Sequence, residues 1–209
     1  MRKEWHYFKQ GIQIQNVYRI LYLLILIFFL FLYYFGDKGY VLMPWEFYKE
    51  RQGFSIEKVL LSSMPIIFYS IGILLPIEHF KNYLTDIRIF EIIRQHKSRY
   101  RYGYFVVFSL TYIFSYMALN VILMWFLGYR GSFGSGIGQA GLVMGVLLSI
   151  VALFSLFDSW SLGNVVALII LIVYSGFTFP ERKEICFLGI LFVALGFINH
   201  LIYLRREIY

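Results

Sequence analysis

The residues that could do chemistry in this sequence are few and far apart. Ser149 and His200 are a hydroxyl and an imidazole, the types needed for a nucleophile and its base. Such a pair needs the serine within reach of the histidine, and donors aimed at the developing oxyanion. Ser149 follows Leu147-Leu148 rather than the glycine-containing turn that presents a nucleophile, and His200 falls near the end of an apolar stretch. There is no paired Glu-Glu with distant histidines for a metalloprotease, and no run of aspartates for metal-assisted phosphoryl transfer. The run Gly131-Ser132-Phe133-Gly134-Ser135-Gly136-Ile137-Gly138 has glycines but neither a following lysine nor a preceding strand, so it reads as a flexible turn and not a phosphate cradle. The single cysteine, Cys186, excludes an intrachain disulfide framework and any cysteine-rich metal site. The expectation is a protein that is not an enzyme and holds no cofactor of its own.

The elements that carry these residues are apolar. Of 209 residues, 60% are hydrophobic and 15% charged, whereas a soluble domain is nearer half apolar and a quarter charged. Too few polar side chains remain to cover a water-facing surface, so a soluble enzyme, a nucleic-acid binder and a disordered chain are poor readings. The net charge of +7 then bears on membrane orientation more than on a polyanion site. A helix needs roughly 20 apolar residues to cross about 30 Å of hydrocarbon. Such stretches occur at 17–35, 59–77, 104–127, 139–157, 163–179 and 185–204, without the alternation of barrel strands. The expected fold is all-α: a single polytopic membrane domain over 1–209 with six transmembrane helices. The first stretch is too long for a secretory signal and lacks a small-residue cleavage site after it. The fifth is short, and the fourth and fifth could also form a re-entrant pair.

Basic residues give the expected orientation. With the N-terminus inside, the inner segments hold Arg2, Lys3, Lys9, Arg19, Lys81, Arg88, Arg94, Lys97, Arg99, Arg101, Arg205 and Arg206. The outer segments hold Lys38, Lys49, Arg51, Lys58, Arg130, Arg182 and Lys183. The asymmetry puts both termini in the cytoplasm. In the outer loop 36–58, Pro44 suits the first turn of a short helix, and Trp45, Phe47 and Tyr48 are expected at headgroup level. Ionisable residues sit at the ends of the apolar stretches: Glu78, His79, Asp158, His200 and Arg205. Asn120 and Asn199 lie deeper, where such side chains ordinarily bond between helices. No charge relay is visible, which leaves the energy source to a partner.

The inner segment 78–103 carries the clearest pattern. From Thr85 to Arg94, Ile89, Ile92 and Ile93 recur at helical spacing while Arg88, Glu91 and Arg94 fall largely on the other side. Thr85 or Asp86 could cap this helix. It either rests on the inner leaflet or lays its apolar side into a groove on a cytoplasmic partner. The basic run Lys97-Ser98-Arg99-Tyr100-Arg101 that follows suits a topology-setting flank.

The six-stretch layout, with 85–94 followed by Lys97-Ser98-Arg99-Tyr100-Arg101-Tyr102, resembles the membrane subunits of small bacterial ABC-2-type exporters of the bacteriocin, antimicrobial-peptide or lantibiotic-immunity kind. The motif-like part covers about 20 residues; the layout covers the chain. The resemblance implies a multi-pass permease in the bacterial cell membrane, paired with a second copy or a homologous subunit. It also implies a separate ABC ATPase subunit holding ATP and Mg, and no nucleic acid. Asp86, Ile89, Phe90, Ile92, Ile93 and Arg94 would then form the coupling helix that meets the ATPase. The cargo would be an amphipathic peptide or lipid-like molecule. A membrane scaffold or immunity protein without a transport cycle is the alternative. An intramembrane enzyme of the rhomboid type is third: six spans with a serine and a histidine are similar to that layout, without its Gly-x-Ser motif.

Overall fold

The computed structural model describes residues 19–32, 43–48, 53–76, 98–127, 136–157, 159–177 and 181–206. Among the described residues the secondary structure is entirely helical. The helices are α1 (Arg19–Leu32), α2 (Ile56–Leu61), α3 (Ser63–Leu74), α4 (Ser98–Phe126), α5 (Ile137–Ser155), α6 (Trp160–Gly176) and α7 (Glu181–Arg206). Three segments are long and apolar enough to cross a membrane: Val106–Phe126, Ile137–Ser155 and Lys183–Arg205. Arg19–Leu32, Ser63–Leu74 and Ser161–Gly176 are apolar but shorter.

α5 is the centre of the bundle. Of its most apolar stretch 56% is buried inside the protein, against 17% for α4 and 11% for α7. It packs most closely on α6 and α7, and also on α3 and α4. From α3 onward, helices consecutive in the chain run antiparallel, whereas α5 and α7 run parallel, with Gly145 against Phe192 and Ser149 against Asn199. The Tyr116 hydroxyl of α4 donates to the Phe68 carbonyl of α3 at 2.7 Å, and Tyr112 donates to Gly72 at 2.6 Å. Moving down α4 therefore means moving up α3. Likewise Ile113 faces Gly141 of α5, while Tyr102, nearer the start of α4, meets Gly196 of α7. The bundle thus has one end carrying Tyr102, Leu156 and the close of α7, and another carrying residues 43–48, 53–59 and the start of α7.

Close approach of α5 and α6 depends on Gly163. A Cβ there would lie 2.7 Å from Phe154 Cβ and 3.3 Å from the Val151 backbone. Gly136, before α5, has φ 71°, a left-handed conformation that side chains rarely adopt. Its carbonyl accepts from the Ala140 amide at 2.7 Å, and a Cβ would sit 3.1 Å from Glu46 Oε1.

Two sequence expectations change here. The stretch 59–77 is not one helix: α2 and α3 are broken at Ser62. Pro65 has no amide hydrogen for the Leu61 carbonyl four residues back, and its ring crowds that carbonyl, so the helix is interrupted one turn before it. The Ser62 hydroxyl instead accepts from the Tyr48 amide at 3.2 Å. The second change concerns 43–48, which forms a turn, with the Glu46 amide donating to the Met43 carbonyl at 2.9 Å, and not a short helix at Pro44. Trp45 and Phe47, expected to face the headgroups, are buried among protein side chains. Phe47 stacks on Tyr69 at 5.4 Å and meets Tyr174 edge-on at 5.2 Å, while Trp45 lies 6.0 Å from Phe68.

Candidate functional site

The candidate site is a cleft of about 180 Å³ between α4, α5 and α7, near the Tyr102 end. Its apolar walls are Leu110, Ile113, Leu148, Phe192 and Val193. Small residues open it. The ring of Phe192 occupies the space that a side chain at Gly145 would take, and a Cβ on Gly196 would meet nothing within 4 Å. The polar residues gather toward the helix ends: Tyr102 from α4, Ser149 from α5 and Asn199 from α7, with Ser109 along the α4 wall.

These polar groups are partly used by the fold. The Tyr102 hydroxyl donates to the Gly196 carbonyl at 2.7 Å, and its ring lies 4.8 Å from that of His200. Burial pushes the Tyr102 phenol up to about 12, so it remains a neutral donor at ordinary pH. Asn199 Nδ2 donates to the Ser149 carbonyl at 2.9 Å, tying α7 to α5. Ser149 Oγ donates to the Gly145 carbonyl one turn back, at 2.7 Å. Its hydroxyl hydrogen is thus directed along its own helix, which is not the arrangement of a serine activated by His200. Asn199 Oδ1 and His200 Nδ1 are buried and have no hydrogen-bond partner.

A second polar layer lies at the opposite end. The Tyr174 hydroxyl donates to Glu184 Oε1, and the Tyr69 hydroxyl donates to the Trp45 carbonyl at 3.1 Å. Glu184 is 5% exposed and Lys58 1% exposed, with Lys58 Nζ donating to the Gly53 carbonyl at 2.6 Å. Sequence reading counts Lys58 among the outer basic residues and gives Glu184 no special role. Each is instead in the first turns of a helix and turned inward. The only sequence signal is adjacency: each charge directly precedes an apolar run.

The coupling-helix residues Asp86, Ile89, Phe90, Ile92, Ile93 and Arg94 lie outside the described residues, as do Glu78, His79, Lys97, Asp158 and Gly131 to Ser135. Ser98 to Arg101 form the first turn of α4. Among the described residues, no three His, Cys, Asp or Glu side chains are grouped to hold a metal ion. Comparison with family models, with curated proteins and with solved structures finds no match.

Proposed function

We propose that this chain is the permease subunit of a two-component exporter, crossing the bacterial cell membrane six times and driven by a separate ABC ATPase subunit. The observation that carries this reading is the placement of α4. The helix is unbroken over 29 residues, about 43 Å of rise, which exceeds the roughly 30 Å hydrocarbon layer. It begins at Ser98, four residues after the segment 85–94, and it forms one wall of the cleft. A push on 85–94 would thus be carried by a stiff rod to the cleft wall. α4 meets α7 far less extensively than α5 does, so α4 is the wall most free to move.

In this reading each apolar helix crosses the bilayer, with α2 and α3 together making the second crossing, and the Tyr102 end is cytoplasmic with both termini. ATP and Mg bind on the partner ATPase, whose closure moves the 85–94 helix through contacts from Ile89, Phe90, Ile92 and Ile93, with Asp86 and Arg94 beside them. Two copies, or this chain and a homologue, frame the path. The exposed apolar faces of α4 and α7, including Phe114, Phe126, Ile190 and Val193, suit contact with lipid or with that second subunit. The apolar lining suits an amphipathic peptide or lipid-like cargo.

The test is affinity purification of the tagged chain from native membranes in mild detergent. An ABC ATPase recovered with it supports the proposal. Recovery of the chain alone, with transport in vesicles that contain no ATP, contradicts it.

A further inference from the structure

α2 is inside out for a helix in water. Its lysine, Lys58, is turned into the protein, where Nζ donates to the Gly53 carbonyl at 2.6 Å. Ile56 and Leu60, one turn apart, are each 71% exposed, and Phe54 and Leu61 are exposed beside them. A helix facing water turns its lysine out and its large apolar residues in. The reversed arrangement suits hydrocarbon, where a charge is best hidden within protein. Glu57 is exposed on the same short helix. A carboxylate stays wet only at the boundary of the hydrocarbon, with its apolar neighbours reaching inward, so Glu57 sets the depth of α2.

The outward face of α2 continues that of α6. The Ser55 amide donates to the Gly176 carbonyl at 3.2 Å, and the Phe54 ring occupies the space that a side chain at Gly176 would take. Phe54 also meets Phe177 at 5.3 Å. Along α6, Leu162, Val165, Ile169, Val173 and Phe177 recur every three or four residues, and all are exposed. α6 has 17 residues, about 26 Å of rise, which falls short of roughly 30 Å of hydrocarbon. A helix shorter than the layer it faces must be extended by other apolar surface or thin the bilayer around it. Phe54, Ile56 and Leu60 supply that surface at the Gly176 end.

A second copy of the chain fits this face less well than lipid does. Helices in a bilayer approach one another closely through small residues. On α6, Gly163, Ala167, Ser175 and Gly176 are buried within the bundle, and the outward stripe is made of large branched and aromatic side chains.

We propose that α2 is a lipid-contacting rim: Phe54, Ile56 and Leu60 meet phospholipid acyl chains at the boundary of the bilayer and extend the apolar belt of the short α6, while Glu57 stays toward water. The proposal needs a bilayer but neither a transport cycle nor a given orientation, so its failure is distinct from failure of the exporter reading.

The test uses the full chain with Cys186→Ala, reconstituted in phosphatidylcholine vesicles. A nitroxide is attached to one introduced cysteine at a time: Ile56→Cys, Glu57→Cys, Leu60→Cys or, as the mid-helix reference, Ile169→Cys. All four positions are exposed, so the label displaces no packing. Power saturation then measures collisions with oxygen, which concentrates in hydrocarbon, and with a water-soluble nickel chelate supplied on both sides. Oxygen collisions should exceed nickel collisions at Ile56, Leu60 and Ile169, and the order should reverse at Glu57. Nickel exceeding oxygen at either Ile56 or Leu60 would put this face in water and overturn the proposal. Oxygen exceeding nickel at Glu57 as well would overturn the boundary placement. Few collisions with either reagent at Ile56 and Leu60, with a motionally restricted spectrum, would mean that a second copy or another protein covers the face, and would overturn the proposal equally.

Discussion

Tyrosine and asparagine side chains fasten this bundle by finding backbone acceptors on other helices. Tyr116 and Tyr112 donate across to α3, and Asn199 donates to α5. Asn120 donates within its own helix, to Tyr116 at 2.8 Å, and its Oδ1 has no hydrogen-bond partner. From sequence, Asn120 and Asn199 are equally good candidates for bonds between helices; only the position of a neighbouring carbonyl separates them. Tyr116→Phe should lower stability by about 0.5–1.5 kcal/mol, read from thermal unfolding in detergent. Tyr102 gives a pH dependence. Its folded value, about 12, lies above the ordinary 10, so the fold favours the neutral phenol. That contribution is complete below pH 10 and is lost as pH rises from 10 through 12. Tyr102→Phe should therefore lose less stability than the wild type over that interval, measured by unfolding midpoints at pH 9 and pH 11.5.

At the scale of elements, the helices are legible because long apolar runs leave no other solution for their backbone hydrogen bonds in hydrocarbon. The break between α2 and α3 is written in Pro65, but its exact place also needs Tyr48 to reach Ser62 from another segment. The seating of Trp45 and Phe47 is not legible, because their partners Phe68, Tyr69 and Tyr174 come from α3 and α6. The same limit hides Lys58 and Glu184, whose burial depends on what packs over them and not on local sequence. Glycines sort themselves by their surroundings. Gly163→Ala must push α5 and α6 apart and should cost about 1–3 kcal/mol. Gly189→Ala, with nothing within 4 Å of its Cβ, should be neutral or stabilising by up to about 1 kcal/mol. Unfolding midpoints of the two variants in one detergent compare them directly.

For the whole molecule, composition alone declares a membrane protein, and three helices are long and apolar enough to span a bilayer. The orientation proposed from the basic asymmetry can be read chemically. In a Cys186→Ala background, needed because Cys186 is exposed, Ser55→Cys should react with an impermeant thiol reagent in intact cells and Ser98→Cys should not. The opposite pattern would invert the proposed orientation. The candidate cleft was not legible in the sequence, because its wall is assembled from residues of α4, α5 and α7 that no local pattern connects.

The proposed function turns on whether 85–94 grips an ATPase. A few buried apolar anchors carry most of an interface's energy, and a carboxylate buried without a partner costs several kcal/mol. Phe90→Asp should therefore release the ATPase while the helical domain still inserts and purifies as a single monodisperse species. The direct measurement is the amount of ATPase that co-purifies with wild-type and Phe90→Asp protein at equal yield of this chain. At least a tenfold loss with the variant is the predicted result; undiminished recovery would contradict a coupling role for this segment.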